Sequence, residues 1–296
     1  MTILRTPEER FADLPDYPFA PHYHQITPEL RLHYVDEGPR QAPPVLLLHG
    51  EPTWSYLYRH MIPAVAAAGR RALAPDLIGF GKSDKPAATG DYSYAGQVAW
   101  IRQWIEALDL RNFTLVCQDW GSLIGLRLAA ELSDRFAAVA LSNGGLPYGT
   151  GMSAAFRLWR AFSRLSPFFP IGRIVQGGTR RRLSPAEIAA YDAPFPSAAF
   201  KAATRIYPSL VPAEPDNVAV PDQIAAWRAL ESWHKPFLCC FSDGDPITRG
   251  LDAEFRRRVP GTRGRDHVTL HGGHFVQEDD PQSFARLAVD LSKTVR

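Results

Sequence analysis

Cysteine, net charge and long apolar runs are all scarce in this 296-residue chain. Its three cysteines, two of them adjacent at Cys239 and Cys240, cannot build a disulfide framework or a four-cysteine zinc site, so a reducing compartment is expected. Thirty-three Lys and Arg against 31 Asp and Glu leave a net charge of +2, which offers no basic surplus for binding nucleic acid. Because no stretch approaches the roughly 20 apolar residues of a membrane span and the N-terminus lacks the apolar core of a secretory signal, we expect a cytoplasmic protein without a membrane partner.

Short apolar runs that end in polar residues predict a mostly parallel β-sheet. Such runs suit strands that are buried on both faces, and they occupy residues 45–48, 72–75, 113–117, 137–141 and 237–241. An alternating stretch that begins at Leu30 predicts one half-buried antiparallel strand before them. Helical spacing of apolar residues appears between the runs, most clearly at Val98, Ile101, Trp104, Ile105 and Leu108. The alternation of strand and helix predicts an α/β fold whose central sheet is flanked by helices.

The strand pattern is interrupted between about residue 147 and residue 220. Aromatic residues recur there at near-helical spacing, and Pro167, Pro170, Pro194 and Pro208 are expected to break the helices. The pattern returns at Pro236. The sequence therefore predicts a core in two sequence pieces, with a helical insertion over one edge of its sheet.

The residues that follow the run at 113–117 suit a nucleophile. In open parallel sheets, ligands bind beyond the carboxyl ends of the strands. Gln118-Asp119-Trp120-Gly121 lies at such an end and precedes a helical run, as in a nucleophile elbow, with Asp119 in the serine position and Cys117 in place of the first glycine. A carboxylate there can attack carbon directly. The alternative is that Asp119 only caps the following helix.

An acid and a histidine follow Asp119 in the chain order of such hydrolases. Asp243 and Asp245 come after the run at 237–241, and we favour Asp245 over Asp243 as the acid. His274 comes after the strand-like run at 268–270. His271 and His274 suggest a metal pair, but no third ligand follows at metalloenzyme spacing, so no metal and no other cofactor is expected.

With these residues in place, the chain resembles the type I haloalkane dehalogenases of the α/β-hydrolase fold over nearly its whole length. The resemblance implies a main domain at 1–146 and 221–296 and a helical cap domain at 147–220. It also implies that a haloalkane is hydrolysed to a primary alcohol, halide and a proton, with a small halogenated aliphatic substrate and halide ion as the only partners. The strings that carry the resemblance are His49-Gly50-Glu51-Pro52-Thr53-Trp54-Ser55-Tyr56-Leu57-Tyr58-Arg59, Gly79-Phe80-Gly81-Lys82-Ser83-Asp84-Lys85-Pro86, Gln118-Asp119-Trp120-Gly121, Ala193-Pro194-Phe195-Pro196 and Gly273-His274-Phe275-Val276-Gln277-Glu278.

The resemblance assigns catalytic roles. Asp119 is expected to displace halide and form an alkyl ester, which water activated by His274 then hydrolyses. Asp245 orients His274 and stabilises its positive charge. The backbone N–H groups of Glu51 and Trp120 are the expected oxyanion donors.

Further site residues follow from the same resemblance. The indole N–H groups of Trp120 and Trp159 are expected to bind halide, since indole is a donor without an acceptor. Glu51 and Asn143 are expected around the hydrolytic water. The apolar substrate pocket is expected to be lined by Leu123, Phe156, Tyr207, Pro208 and Ile247.

Two other functions stay open on the sequence alone. Epoxide hydrolases share the fold, the aspartate nucleophile and the Asp-Trp-Gly string, and they use two cap tyrosines as acids; Tyr148, Tyr191 and Tyr207 are the candidates here. The second alternative is a homologue of the hydrolases that binds a ligand but no longer catalyses a reaction.

The protein is expected to be a monomer, with a dimer as the alternative.

Overall fold

A seven-stranded sheet forms the centre of the protein, in a computed structural model that describes residues 1–294. The strand order is β2-β3-β5-β4-β7-β8-β9, and β1 pairs with β6 in a separate two-stranded sheet. The strands are β1 (Ile3–Leu4), β2 (His22–Thr27), β3 (Leu30–Glu37), β4 (Pro44–Leu48), β5 (Arg71–Pro75), β6 (Lys85–Pro86), β7 (Phe113–Asp119), β8 (Phe136–Gly144) and β9 (Phe237–Cys239).

The sheet is mostly parallel, as predicted. Strand β4 pairs in parallel with β5 and β7, and the parallel ladder continues through β8 to β9. Strand β3 is antiparallel to both β2 and β5. The paired residues of β4, β7 and β8 are buried almost without exception, because helices cover both faces of the sheet. The carboxyl ends of these strands meet at one edge, where an α/β fold binds its ligands.

Helices flank the sheet on both faces. The predicted apolar stripe lies on α2, where Ile101 and Trp104 are fully buried and the Trp104 ring packs edge-on against Tyr34 of β3 at 5.4 Å. Ser93 begins α2 by accepting a hydrogen bond from the backbone N–H of Gly96. The helices of residues 1–294 are α1 (Met61–Ala67), α2 (Tyr94–Ala107), α3 (Trp120–Glu131), α4 (Ala154–Leu165), α5 (Ile171–Gly177), α6 (Pro185–Asp192), α7 (Ala202–Leu210), α8 (Val220–Leu230), α9 (Asp252–Arg258), α10 (Val276–Asp279) and α11 (Pro281–Lys293).

The segment between β8 and β9 is helical, and the described chain has no strand there. Its first four helices are α4 to α7, whereas α8 packs against α3 of the core and donates from the Trp227 indole to the carbonyl of Leu146 at 2.8 Å. Pro167 and Pro170 follow the end of α4. Pro208, however, lies inside α7, so the prediction that it breaks the helix is wrong. Pro208 has no backbone N–H, so α7 lacks one hydrogen bond to the carbonyl of Thr204. The helix continues because the buried side chain of Tyr207 holds this segment in place.

The strand-like run at 268–270 forms a single parallel bridge, between Ser242 and Leu270, and not a strand. It is too short for a regular ladder, because the loop that carries His274 begins directly after it. The backbone N–H of Leu270 still donates to the carbonyl of Phe241 at 2.9 Å, which fixes the loop beside the end of β9. No helix within residues 1–294 combines the length and the apolar composition that crossing a membrane requires.

Candidate active site

Asp119 sits at a sharp turn between β7 and α3. Its φ of 51° and ψ of −127° are costly for a residue with a side chain, and such strain is typical of a nucleophile elbow. The turn also requires Gly121, because a Cβ there would lie 1.9 Å from the carbonyl oxygen of Leu48. The Asp119 side chain makes no capping bond to α3. The alternative that Asp119 only caps the helix is therefore wrong.

The two oxygens of the Asp119 carboxylate have different neighbours. Oδ1 accepts a hydrogen bond from the backbone N–H of Glu51 at 2.7 Å, and Oδ2 lies 3.6 Å from Nε2 of His274. Of the two predicted oxyanion donors, Glu51 thus contacts Asp119 directly, whereas within residues 1–294 the Trp120 amide makes no hydrogen bond to the Asp119 carboxylate. Gly50 makes this approach feasible, since a Cβ there would lie 2.4 Å from the carboxylate.

The other ring nitrogen of His274 faces Asp245. Nδ1 lies 3.0 Å from Oδ2 of Asp245, and the same carboxylate accepts hydrogen bonds from the backbone N–H of Ile247 at 2.8 Å and from the hydroxyl of Thr248. Asp243 points elsewhere and pairs with the exposed His271 at 3.2 Å. The structure therefore brings Asp245, and not Asp243, to the ring of His274.

The charges of these groups are coupled. Burial alone would lower the pKa of His274, but the Asp245 and Asp119 carboxylates outweigh it and raise the pKa to about 10. Burial alone would raise the pKa of Asp245, but the charge of His274 and hydrogen bonds from Thr248 and Ile247 lower it to about 2. At neutral pH the imidazole is thus a cation between two carboxylates.

Glu51 contributes a carboxyl group in addition to its backbone N–H. The side chain is buried, and burial together with the nearby Asp119 charge raises its pKa well above the ordinary value, against the opposing effects of His274 and Trp159. Burial and the Asp119 charge both favour the uncharged form of the side chain over the carboxylate. Within residues 1–294, its Oε1 has no hydrogen-bond partner. Oε1 of Glu51 is therefore available to bind a small polar molecule beside the nucleophile.

A cavity of about 200 Å³ opens over Asp119. Glu51, Trp120 and Trp159 all line it, so the two predicted halide donors face the same space from the core and from α4. Apolar side chains supply much of the remaining wall, and they include the predicted pocket residues Leu123, Phe156, Pro208 and Ile247.

Tyr207 does not line this cavity, which corrects the prediction of a wall position. Its side chain is fully buried behind Trp120, with the ring centroids 4.3 Å apart, and it packs edge-on against Phe80 at 4.8 Å. The physical reason is helical geometry: adjacent residues of α7 point about 100° apart, so Pro208 faces the cavity while Tyr207 turns to the core. Tyr207 acts on the site by supporting the Trp120 ring.

Asn143 also has a different environment from the one expected beside a hydrolytic water. Its amide nitrogen donates to the hydroxyl of Ser242 and to the carbonyls of Gly273 and His274, each at 2.9 Å. Its amide oxygen accepts from the backbone N–H of Ser242 at 2.9 Å, and the residue does not line the cavity. Asn143 therefore ties the histidine loop to the end of β8.

Two residues near His274 are not predicted as site residues by the sequence. The side-chain nitrogen of Gln118 lies 2.9 Å from Nε2 of His274. The position of Gln118 directly before Asp119, in a string shared with the family, is the sequence feature that indicates a role in the site. Asp279 accepts from the backbone N–H groups of Gly273 at 2.7 Å, Arg181 at 2.8 Å and Arg180 at 3.0 Å. No motif marks Asp279, because its partners are backbone groups that only the fold brings together.

One group of side chains has a spacing that suits a metal ion. Ligand atoms of His60, Glu187 and Glu278 lie within 4.8 Å of one another. Arg59 and Arg181, however, each contact both glutamates. Because two cations already neutralise these carboxylates, the group fits an ion-pair network between the core and the inserted helices better than it fits a metal site.

The three candidate tyrosines do not form the acid pair of an epoxide hydrolase. The hydroxyl of Tyr191 donates to Glu278, away from the cavity. Tyr148 lines the cavity, but its hydroxyl donates to Glu254 at 2.9 Å. Tyr207 lies behind Trp120. No pair of tyrosine hydroxyls within the described residues is thus directed at a ligand above Asp119.

Comparison with known proteins identifies the family of the chain. A sequence profile of the alpha/beta hydrolase fold matches residues 43–281. The chain is 53% identical to a haloalkane dehalogenase of Psychrobacter cryohalolentis over 98% of each protein, and 51% identical to one of Mycobacterium marinum over 96% of this chain and 98% of that protein. The haloalkane dehalogenase DpaA of Paraglaciecola agarilytica, described as tetrameric, matches with a TM-score of 0.88 at 33% identity, over 100% of this chain and 98% of the other. By sequence and by fold, the chain belongs to the haloalkane dehalogenases, α/β-hydrolases that act on carbon–halide bonds.

Proposed function

We propose that this haloalkane dehalogenase works through a covalent ester on Asp119. Its carboxylate attacks the halogen-bearing carbon in line, the carbon–halogen bond breaks, and halide leaves. Water then attacks the ester carbonyl, His274 takes the proton, and the primary alcohol is released. The observation that carries this proposal is the position of the Asp119 carboxylate, held by the Glu51 amide, 3.6 Å from His274 and beneath a cavity with two tryptophans.

Trp120 and Trp159 bind the leaving halide in this proposal. Both line the cavity over Asp119, and each indole offers one N–H and no acceptor. Halide develops its charge away from bulk water, so it needs donors that do not compete as nucleophiles. The favoured neutral form of Glu51 supports this role, because a second carboxylate beside Asp119 would repel the halide.

The hydrolytic water has two supports in the proposal. The unpartnered Oε1 of Glu51 binds the water, and Nε2 of His274 accepts its proton. Glu51 and Trp120 supply backbone N–H groups to the oxyanion that forms on the ester carbonyl, with Glu51 already in contact with Asp119. Asn143 serves the water indirectly, since its amide holds the carbonyl of His274 and thereby the loop.

Ester formation also converts His274 into a base. The charge of Asp119 is one of the two causes that raise the pKa of the imidazole to about 10. An alkyl ester carries no charge, so the pKa of His274 falls once Asp119 has reacted. The imidazole then loses its proton to solvent, which is the acid released in each turnover, and is ready to accept one from water.

The substrate we propose is a short alkyl halide, because the walls at Leu123, Phe156, Pro208 and Ile247 are apolar and the cavity measures about 200 Å³. Residues 147–220 form the cap in this proposal, and the enzyme acts in the cytoplasm. We propose a monomer. The description of DpaA as tetrameric makes size-exclusion chromatography with light scattering the appropriate test.

Bromide release is the direct test of the reaction. The purified chain is incubated with 1-bromobutane, 1-bromohexane and 1,3-dibromopropane, and free bromide and acid are measured. Equal amounts of bromide and proton are expected. Diol formation from styrene oxide without bromide release would favour an epoxide hydrolase, and a ligand-dependent rise in melting temperature without any product would favour a non-catalytic homologue.

A further inference from the structure

Helix α4 presents an apolar face to solvent. Leu158 is 74% exposed and Leu165 is 78% exposed, and Phe162 lies between them on the same side of the helix. Phe168, in the turn that follows, is 79% exposed. We call these four residues the outer face. Within residues 1–294 they make up half of the eight large apolar side chains that are exposed, so the outer face is a concentrated patch and not the scatter usual on a soluble surface.

The charged side chains of helix α4 have one sign. No Asp or Glu occurs from Arg135 to Ala186. Residues 147–186 contain seven arginines, of which Arg160, Arg180 and Arg181 pair with acidic residues of other segments. Helix α4 itself carries Arg157, Arg160 and Arg164 and no acidic residue. Arg157 and Arg164 are seven residues apart, so both flank the outer face on the same side. The helix therefore joins exposed apolar surface to unbalanced positive charge.

We propose that the outer face of α4 docks on a lipid surface rich in anionic headgroups. A basic helix with exposed aromatic and aliphatic residues is typical of segments that lie in the plane of a membrane surface. Its 12 residues measure about 18 Å along the axis, too short to cross a bilayer but sufficient to lie within its interface. In this position Leu158, Leu165 and Phe168 enter the acyl boundary, while Arg157 and Arg164 extend to headgroup phosphates.

A second copy of the chain fits the outer face less well. Two such faces packed about a two-fold axis would bring the arginines of one α4 towards those of the other. The helix has no acidic side chain to pair with them, and Glu214 already forms an ion pair with Arg160 at 3.6 Å. Like charges at such an interface oppose association. Anionic headgroups supply the complementary charge that a second copy lacks.

Docking would also serve the reaction, a step that rests on the proposed function. Met152, Ser153 and Phe156, at the N-terminal end of α4, line the cavity. The same helix thus lies between the lipid surface and the site, close to the phase into which an apolar haloalkane partitions. This proposal departs from the expectation of no membrane partner. That expectation rests on the lack of a long apolar run and of a secretory signal, whereas the outer face becomes visible only in the fold.

The test is flotation of the full chain, without substrate, with unilamellar vesicles of phosphatidylcholine alone or with phosphatidylglycerol. We expect binding to the mixed vesicles, little binding to phosphatidylcholine alone, and release by salt. Arg157→Gln with Arg164→Gln should weaken binding about 25-fold, at about fivefold for each charge. Leu158→Ser with Leu165→Ser should abolish detectable binding.

Matched controls keep the result specific. Val218→Ser changes an apolar side chain that is 95% exposed outside the outer face, and Arg257→Gln with Arg263→Gln removes two exposed charges elsewhere. These variants should bind like the wild type, and all variants should melt at the wild-type temperature.

Absence of binding to mixed vesicles at low salt would overturn the proposal, as would equal binding by the outer-face variants. A dimer that Leu158→Ser dissolves, without vesicle binding, would assign the face to a second copy. Vesicle binding without bromide release would support the docking surface and contradict the proposed function.

Discussion

Oδ2 of Asp119 lies 3.6 Å from Nε2 of His274, so the nucleophile and the base of the two proposed steps are electrostatically coupled. The same imidazole contacts Asp245 through Nδ1 at 3.0 Å. Before reaction, His274 is flanked by two negative charges and remains protonated at neutral pH. After Asp119 becomes an ester, only the Asp245 charge remains. The coupling therefore lowers the proton affinity of His274 when the ester forms, which frees the imidazole to act as a base in the second step.

Removing the Asp119 charge should lower the pKa of His274. Asp119→Asn keeps the shape of the side chain but imitates the charge of the ester, so the imidazole should titrate at a lower pH than in the wild type, where its pKa is about 10. NMR titration of the His274 ring measures the change. Asp243→Asn is the control, because Asp243 pairs with His271 and not with His274. An unchanged titration in Asp119→Asn would contradict the coupling.

Replacing His274 by Phe should trap the alkyl ester. Asp119 retains the N–H of Glu51 and can still displace halide, but no base remains to activate water. Incubation with 1-bromobutane should add the mass of one butyl group to the peptide that contains Asp119, with bromide released once per enzyme. His271→Phe removes an exposed histidine and should turn over normally. An unmodified peptide after long incubation would rule out the two-step scheme.

Replacing Trp159 by Phe should weaken halide binding and slow carbon–halogen cleavage. The variant keeps the aromatic stack with Phe162 and Phe169 but loses the indole N–H. Loss of one hydrogen bond to a charged group costs about 1.5–3 kcal/mol. Quenching of tryptophan fluorescence by bromide and stopped-flow rates of cleavage measure the two effects. Trp100→Phe, outside the cavity, is the matched control. Unchanged bromide affinity in Trp159→Phe would place the second donor elsewhere.

The sequence predicted the proximity of Asp119, His274 and Asp245, our proposed nucleophile, base and acid, more readily than the walls of the site. Asp119 ends β7 and His274 follows the bridged run at 268–270, so chain order and short strings carry the information on their positions. Tyr207 and Pro208 are adjacent on one helix, so their assignment depends on helix rotation, which packing against Phe80 and Trp120 decides. The fold class was predictable because a strand that is buried on both faces of the sheet appears in the sequence as a continuous apolar run. The single bridge at Leu270 was not predictable, because it depends on the loop that follows it.

Asp279 should position the histidine loop without touching the reacting atoms. Its carboxylate accepts from the N–H of Gly273, directly before His274, and from the N–H groups of Arg180 and Arg181 in the inserted segment. Asp279→Ala leaves these donors without an acceptor, so we expect a loss of stability of about 1–3 kcal/mol. The ester should then hydrolyse more slowly, because the ring of His274 is less well held.

Pre-steady-state kinetics distinguish positioning from a general structural defect. In Asp279→Ala the burst of bromide, which reports attack by Asp119, should stay close to the wild type while the later steady-state rate falls. Asp279→Asn keeps one acceptor oxygen and should recover part of that rate. Asp290→Ala, on the exposed side of α11, is the control for a lost surface charge. Equal loss of burst and steady-state rates would show that Asp279 holds the whole site together and does not act through the histidine loop.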